Sequence, residues 1–396
     1  MSEVSVPRHA ASRQNDPMPS FLQHGIKVTQ YTRNPGQELF RSPSTIGEGG
    51  LPTSSRRGEI LNPTVNFVVE DMFYFKYIGC TTAAKTLHRE INNNGTWNAT
   101  WNEQNNSLIS HYHTFGPLAL YARYQSTGIN ILTAHSTPRV NIGNIAGTEL
   151  INQVYPYIYK QFDHIITISQ ACEDEIKTLL PDVPVTRIPN GIDCEKFTRD
   201  KEAGALFRET YGITEDDTLV LSVGQISPRK GVYDFLEVAK RCPDKKFVWV
   251  GGFPYGILST DFLSMKLALG RASENVIFTD FIPDVVHAYS GADVFFMPSY
   301  AETFGLVVLE ALACELPVVA RNLTEFKEVY GPSISLFCNI EEACNAISDK
   351  KTLSILQASA RDATSPYNII DVAKQTTELY TELLETNDSV SHNTKI

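Results

Sequence analysis

Residues 296–320 read FMPSYAETFGLVVLEALACELPVVA, and two carboxylates within this run, Glu302 and Glu310, say most about the chain. The apolar residues 292–297 predict a strand that stops at Pro298-Ser299; a loop then holds Glu302, and a helix is predicted to start near Gly305. Backbone N–H groups at a helix start have no partner within the helix and favour an anion such as phosphate. Glu310 falls about one and a half turns in, with its side chain tilted back toward that start. Two acceptor groups therefore bracket a phosphate-friendly helix end, with Phe304, Gly305 and Leu306 at the junction. A ligand with hydroxyls on both sides of a phosphate, as in a nucleotide sugar, suits that pattern. The plainer alternative is a solvated loop acid and an exposed helix face, but strand, loop, glycine and helix all fall where the chemistry needs them.

Strands alternate with helices on both sides of this run. From Val65 the predicted strands are 65–69, 107–110, 129–134, 164–168 and 185–188, with helices over 79–90, 116–124, 148–162 and 173–180. A second series of strands follows at 218–223, 247–250, 275–278, 294–296 and 317–319, and an amphipathic helix is predicted over 369–384. This alternation reads as α/β, with two doubly wound, Rossmann-like domains whose strand ends meet at a cleft. The expected organisation is a disordered Pro-, Ser-, Arg- and Gly-rich extension at 1–62, an acceptor-side domain at 63–205, a nucleotide-binding domain at 206–366, and a helix with a polar tail at 367–396. The acidic stretch Thr198–Asp217 reads as the linker.

The chain has 396 residues, enough for two domains with separate cores, and is 42% hydrophobic and 20% charged. Its net charge of −11 argues against nucleic acid as a partner, since phosphate backbones are normally met by a basic surface. No apolar run approaches the roughly 18 residues of a membrane span, and the N-terminus lacks the apolar core of a signal peptide. The 7 cysteines are scattered, with no C-x-x-C pair, which fits reduced thiols in a cytoplasmic protein.

Other loops at strand ends carry chemistry. After the strand at 218–223 comes Gly224-Gln225-Ile226-Ser227-Pro228-Arg229-Lys230-Gly231, where Arg229 and Lys230 can neutralise a diphosphate by charge-assisted hydrogen bonds. It is not a Walker loop, and no G-x-G-x-x-G is present, so neither simple ATP hydrolysis nor a dinucleotide dehydrogenase gains support. Gly79 is a single glycine between strand and helix in the first domain, a place for close backbone approach to phosphate. His135 follows a strand at the same cleft edge and could donate to a sugar hydroxyl or a departing phosphate, or be a plain strand-end histidine. His111 and His113 have metal-ligand spacing, but without further Cys or His nearby they read as packing or loop polarity. No D-x-D motif suggests a carboxylate-held metal, so no metal and no cofactor are expected.

Taken together, Asn190-Gly191-Ile192-Asp193, the Gly224–Gly231 loop and Glu302 to Glu310 resemble the N-G-(I/V)-D, G-x5-K-G and E-x7-E segments of the retaining GT-B glycosyltransferases of family 4. That resemblance implies Lys230 on the diphosphate, Glu310 on the ribose hydroxyls, Glu302 on the donor sugar, the Gly305 and Leu306 amides on phosphate or sugar, and His135 near the leaving group. Gln225 stands where many members have Arg, with Arg229 as the candidate substitute, and the usual two-glycine loop is reduced to Gly79. Residues 229–235 and 288–300, together with His113-Thr114-Phe115-Gly116 and His135-Ser136-Thr137, are similar to bacterial diacylglycerol glycosyltransferases. This narrower likeness implies a UDP-hexose donor, a lipid acceptor, and peripheral contact with the inner face of the cell membrane. The alternatives are a soluble or polyprenyl-linked glycan acceptor, or a GT-B-shaped binding protein without turnover. The run Leu150–Phe162 is the best membrane candidate, though core packing explains it as well.

Overall fold

The computed structural model describes residues 62–71, 79–103, 107–141, 148–254, 256, 259 and 261–393. The extension expected at 1–62 lies outside them except for Asn62, as do residues 72–78 just before Gly79. As expected, two parallel sheets form. The first consists of β1 (Thr64–Val68), β2 (Asn98–Trp101), β3 (Ile109–Tyr112), β4 (Ile129–Ala134), β5 (His164–Thr167) and β6 (Val185–Arg187), in the order β2-β1-β3-β4-β5-β6. In the second, β7 (Thr218–Val223), β8 (Lys245–Val250), β9 (Val276–Phe278), β10 (Val294–Met297), β11 (Val318–Arg321) and β12 (Ser335–Phe337) take the order β12-β11-β10-β7-β8-β9.

The central strands are apolar on both faces because helices cover both. Thus Leu219 and Leu221 of β7 face one core with Phe295 and Leu309, while Val220 faces another with Phe235, Trp249 and Phe296. In the second sheet the strand order reverses at β7, which pairs with β8 on one side and β10 on the other. Parallel pairing of Val294 with Val220 brings the loops after β7 and β10 side by side. These are the loops of Lys230 and Glu302, and a reversal point of this kind is where open α/β sheets leave a crevice for ligands.

Two expectations need correction. Residues Lys201–Thr210, inside the stretch read as a linker, form a helix. Asp200 accepts hydrogen bonds from the N–H groups of Glu202 and Ala203, capping its start. Gly204 lets the helix lie directly on the Ser290–Gly291 backbone, and Arg208 binds Asp293 at 2.6 Å. The final helix spans Ile369–Asn393, past the predicted end at 384 and into the expected polar tail. Its Ile369, Val372, Ala373 and Tyr380 pack with Val65, Phe67, Ile109 and Ile131 of the first sheet. The chain therefore crosses between lobes twice, and the crossings touch: Ile192 N–H donates to Tyr367 O at 2.8 Å and Ile369 N–H to Ile192 O at 2.9 Å. A side chain at Gly191 would run into Ile369, which explains the glycine there.

Candidate active site

All nine residues singled out in the sequence line one cleft of about 580 Å³ between the lobes: Gly79, His135, Arg229, Lys230, Glu302, Phe304, Gly305, Leu306 and Glu310. The lobes meet directly beside it. Thr303 Oγ1 donates to His135 O at 2.9 Å, Arg139 pairs with Glu325, and a Cβ built on Gly79 would lie 3.9 Å from Leu306 Cδ1.

The Glu302 loop is held from several directions. Lys230 Nζ donates to Glu302 Oε1 at 2.6 Å, with Arg229 Nη1 3.7 Å from the same oxygen. Burial would push the Glu302 carboxyl up, but the Lys230 and Arg229 charges outweigh it and hold the group below its usual value. Lys230 itself is lowered, first by burial, with Glu302 opposing. Arg229, expected on phosphate, also donates to Ala301 O at 2.5 Å, so it clamps the loop as well as lining the cleft. Gly231 has φ of +76°, and any Cβ there would collide with Pro298, which seats the two loops against each other. Farther back, Arg321 stacks on Tyr300 at 4.0 Å, donates to Pro298 O at 3.0 Å and pairs with Asp234.

The Leu306–Ala313 helix starts from Gly305, whose φ of +81° is left-handed. Gly305, Leu306 and Val307 at its start line the cleft just after Phe304, which is itself buried. Glu310 is buried on that helix, and Tyr289 donates to its Oε2 at 2.7 Å. Burial raises the Glu310 carboxyl to about 7, with the Tyr289 hydrogen bond and the Lys196 charge opposing. In the other lobe, His135 Nε2 lies 2.9 Å from His113 Nδ1. Burial lowers His135 to about 4, so the ring is neutral at pH 7.

Sequence reasoning missed Lys196 and the wall formed by Val250, Gly251 and Phe281 to Val285. Gly251 meets Gly224 so closely that no side chain fits there. Phe281, Ile282 and Pro283 in that wall are apolar and give no polar signal in the sequence. In the Leu150–Phe162 run, Tyr155, Tyr159 and Phe162 are core residues, while Tyr157 is exposed. Among the described residues no helix is long and apolar enough to cross a membrane, and no group of 3 or more His, Cys, Asp or Glu residues could hold a metal ion.

Two parallel-sheet lobes with a cleft between them, lined by the loops of Lys230 and Glu302 and by the start of the Leu306–Ala313 helix, have the architecture of the GT-B class of glycosyltransferases. Residues 20–196 match the Glycosyltransferase Family 4 domain and residues 205–350 the domain described as Glycosyl transferases group 1. The chain is 26% identical over 274 residues to the alpha-galactosylglucosyldiacylglycerol synthase of Streptococcus pneumoniae, covering 66% of this chain and 73% of that one. It is 33% identical over 180 residues to the processive diacylglycerol alpha-glucosyltransferase of Acholeplasma laidlawii, covering 43% of this chain and 53% of that one. The fold superposes on HepE of Anabaena in complex with UDP-glucose with a TM-score of 0.69 at 16% identity, covering 81% of this chain and 99% of that one. The protein is a hexosyltransferase of GT-B fold that carries a Glycosyltransferase Family 4 domain followed by a Glycosyl transferases group 1 domain.

Proposed function

We propose that the protein is a retaining, metal-independent transferase that moves a hexose from UDP-hexose to a lipid such as diacylglycerol or a glycosyl-diacylglycerol, working at the cytoplasmic face of the membrane. The observation that carries the donor half is the convergence of Lys230, Glu302, the Gly305 helix start and Glu310 on one cleft. The acceptor half is supported by two relatives whose names describe diacylglycerol-based products or acceptors.

In this reading the helix start and Lys230 receive the diphosphate, and Glu310 accepts hydrogen bonds from the ribose hydroxyls. Phe281 and Pro283 flank the base, and Glu302 meets the hexose. Lys230 is bound to Glu302 at the cleft wall, so an incoming diphosphate shares a cation that Glu302 already holds in place. That arrangement links filling of the phosphate site to the orientation of Glu302. The same ion pair makes Glu302 a poor nucleophile and a good positioning acceptor, and no enzymic nucleophile is assigned. Rate enhancement would come from donor placement and from N–H groups and cations fixed around the departing diphosphate.

The test is to incubate the protein with radiolabelled UDP-glucose or UDP-galactose and a lipid extract, then separate the products by thin-layer chromatography. Label in a lipid product, lost in Glu302→Ala, is expected. Label found only in water-soluble glycan, or transfer undiminished in Glu302→Ala, would overturn the reading.

A further inference from the structure

The ends of β3 and β4 carry a histidine array that the donor reading uses only at its outer member. Tyr112 pairs with Leu132, and strand side chains alternate, so His111, His113, Thr133 and His135 share a face. His111 is fully buried with both nitrogens engaged: Nδ1 lies 2.5 Å from the Tyr380 hydroxyl and Nε2 lies 2.7 Å from Thr133 Oγ1. Beside it, His113 stacks on Phe67 at 5.1 Å and joins His135 through the 2.9 Å contact of Nδ1 with Nε2. The other nitrogen of His113, Nε2, is buried with no hydrogen-bond partner among the described residues. Behind it lies a cavity of about 20 Å³ lined by His111, His113, Thr133, His135, Asn190 and Thr376, among others. That is room for one water, with the polar groups of Asn190 and Thr376 among the mostly apolar residues around it.

Burial lowers all three rings, His111 to about 3 and His135 to about 4, with the neighbouring histidines adding to the effect at His113. Each ring therefore carries a single proton at pH 7. Two neutral imidazoles joined by one N–H···N bond have two arrangements. Either His113 donates from Nδ1, and His135 keeps its proton on Nδ1, or His135 donates from Nε2 and its Nδ1 is a bare lone pair on a ring that lines the cleft. An oxygen-rich donor that develops negative charge on departure favours an N–H there.

We propose that His113 is a positioning residue that holds His135 as the Nδ1–H tautomer, with one water in the cavity behind it donating to His113 Nε2. Its role in turnover rests on the donor placement proposed above; the tautomer itself does not. The direct measurement is long-range proton–nitrogen correlation NMR on the full chain labelled with 15N-histidine, using His135→Asn to assign the signal. Protonated Nδ1 and bare Nε2 on His135 are expected, and the reverse pattern overturns the proposal even if transfer activity is never observed.

The kinetic arm compares three substitutions. In His113→Asn the amide occupies the place of Nδ1, so kcat should stay within about threefold of the parent. His113→Phe and His113→Gln, which cannot make the bond from that place, should lose at least about tenfold in kcat, with KM for UDP-hexose nearly unchanged. Equal loss in all three, or a loss carried by KM, would show a merely structural role and refute the assignment. Should His113→Phe fail to fold, the parent's tautomer and the Asn-against-Gln comparison still decide.

Discussion

Replacing Glu310 with glutamine separates the cost of a buried carboxylate from its use. The carboxyl rises from 4.5 to about 7, first through burial, with the Tyr289 hydrogen bond opposing. A folded-state value above the unfolded one means that the group's contribution to stability is fully present below about pH 4.5. It is lost as pH rises through 7 and is constant above. At about 1.4 kcal/mol per pH unit the whole effect is about 3 kcal/mol, of which about 2 to 3 kcal/mol is lost between pH 5 and 8. Glutamine keeps an acceptor for Tyr289 and cannot ionise. Between pH 5 and 8 the parent should therefore lose about 3 °C more in Tm than Glu310→Gln, given the usual unfolding entropy per residue. Calorimetric titration with UDP tests the use of the same group. Parental affinity should climb through pH 7 as the carboxylate forms, whereas the variant should bind about 10- to 100-fold more weakly at pH 8, the worth of a charged hydrogen bond. The diphosphate's own titration is common to both proteins and cancels in the comparison. Equal pH slopes of stability, or equal UDP affinity at pH 8, would refute both the ionisation argument and the ribose assignment.

Three further perturbations probe the loops. Lys230→Met leaves buried Glu302 with Arg229 at 3.7 Å, so denaturant melts should show a loss of about 3 kcal/mol. Single-turnover transfer by this variant should fall at least about 100-fold. Gly231→Ala combines a φ of +76° with a Cβ only 2.7 Å from the Pro298 carbonyl carbon, and should cost at least about 2 kcal/mol by the same melts. Arg321→Leu removes the stack on Tyr300 and the bond to Pro298 O behind the Glu302 loop; donor KM should rise about three- to tenfold while far-UV circular dichroism stays unchanged.

Much of the fold was legible because strands buried on both faces are continuous apolar runs. β4 and β7 fall on the predicted residues, and β10 differs by one. β2, reading NATW, and β12, reading SLF, are short edge strands with little apolar signal and went unseen. The Lys201–Thr210 helix reads as linker because it lies in a polar, acidic stretch between the two strand series; the Gly204 contact that seats it depends on the distant Ser290–Gly291 backbone. Nothing local in Ile369–Asn393 says that it returns to the first sheet, since an amphipathic face names no partner. At the site, spacing revealed which residues stand at strand ends and so reach the cleft. It did not reveal that Lys230 binds Glu302, that Arg229 clamps Ala301, or that His113 backs His135, because each contact joins loops from separate strands.

The most direct test of the donor assignment is a crystal structure of the full chain with UDP-hexose. The expected complex has the diphosphate against Lys230 Nζ and the N–H groups after Gly305, the ribose hydroxyls on Glu310 and the hexose against Glu302. A nucleotide bound outside this cleft, or lying in it with the ribose away from Glu310, would contradict the assignment.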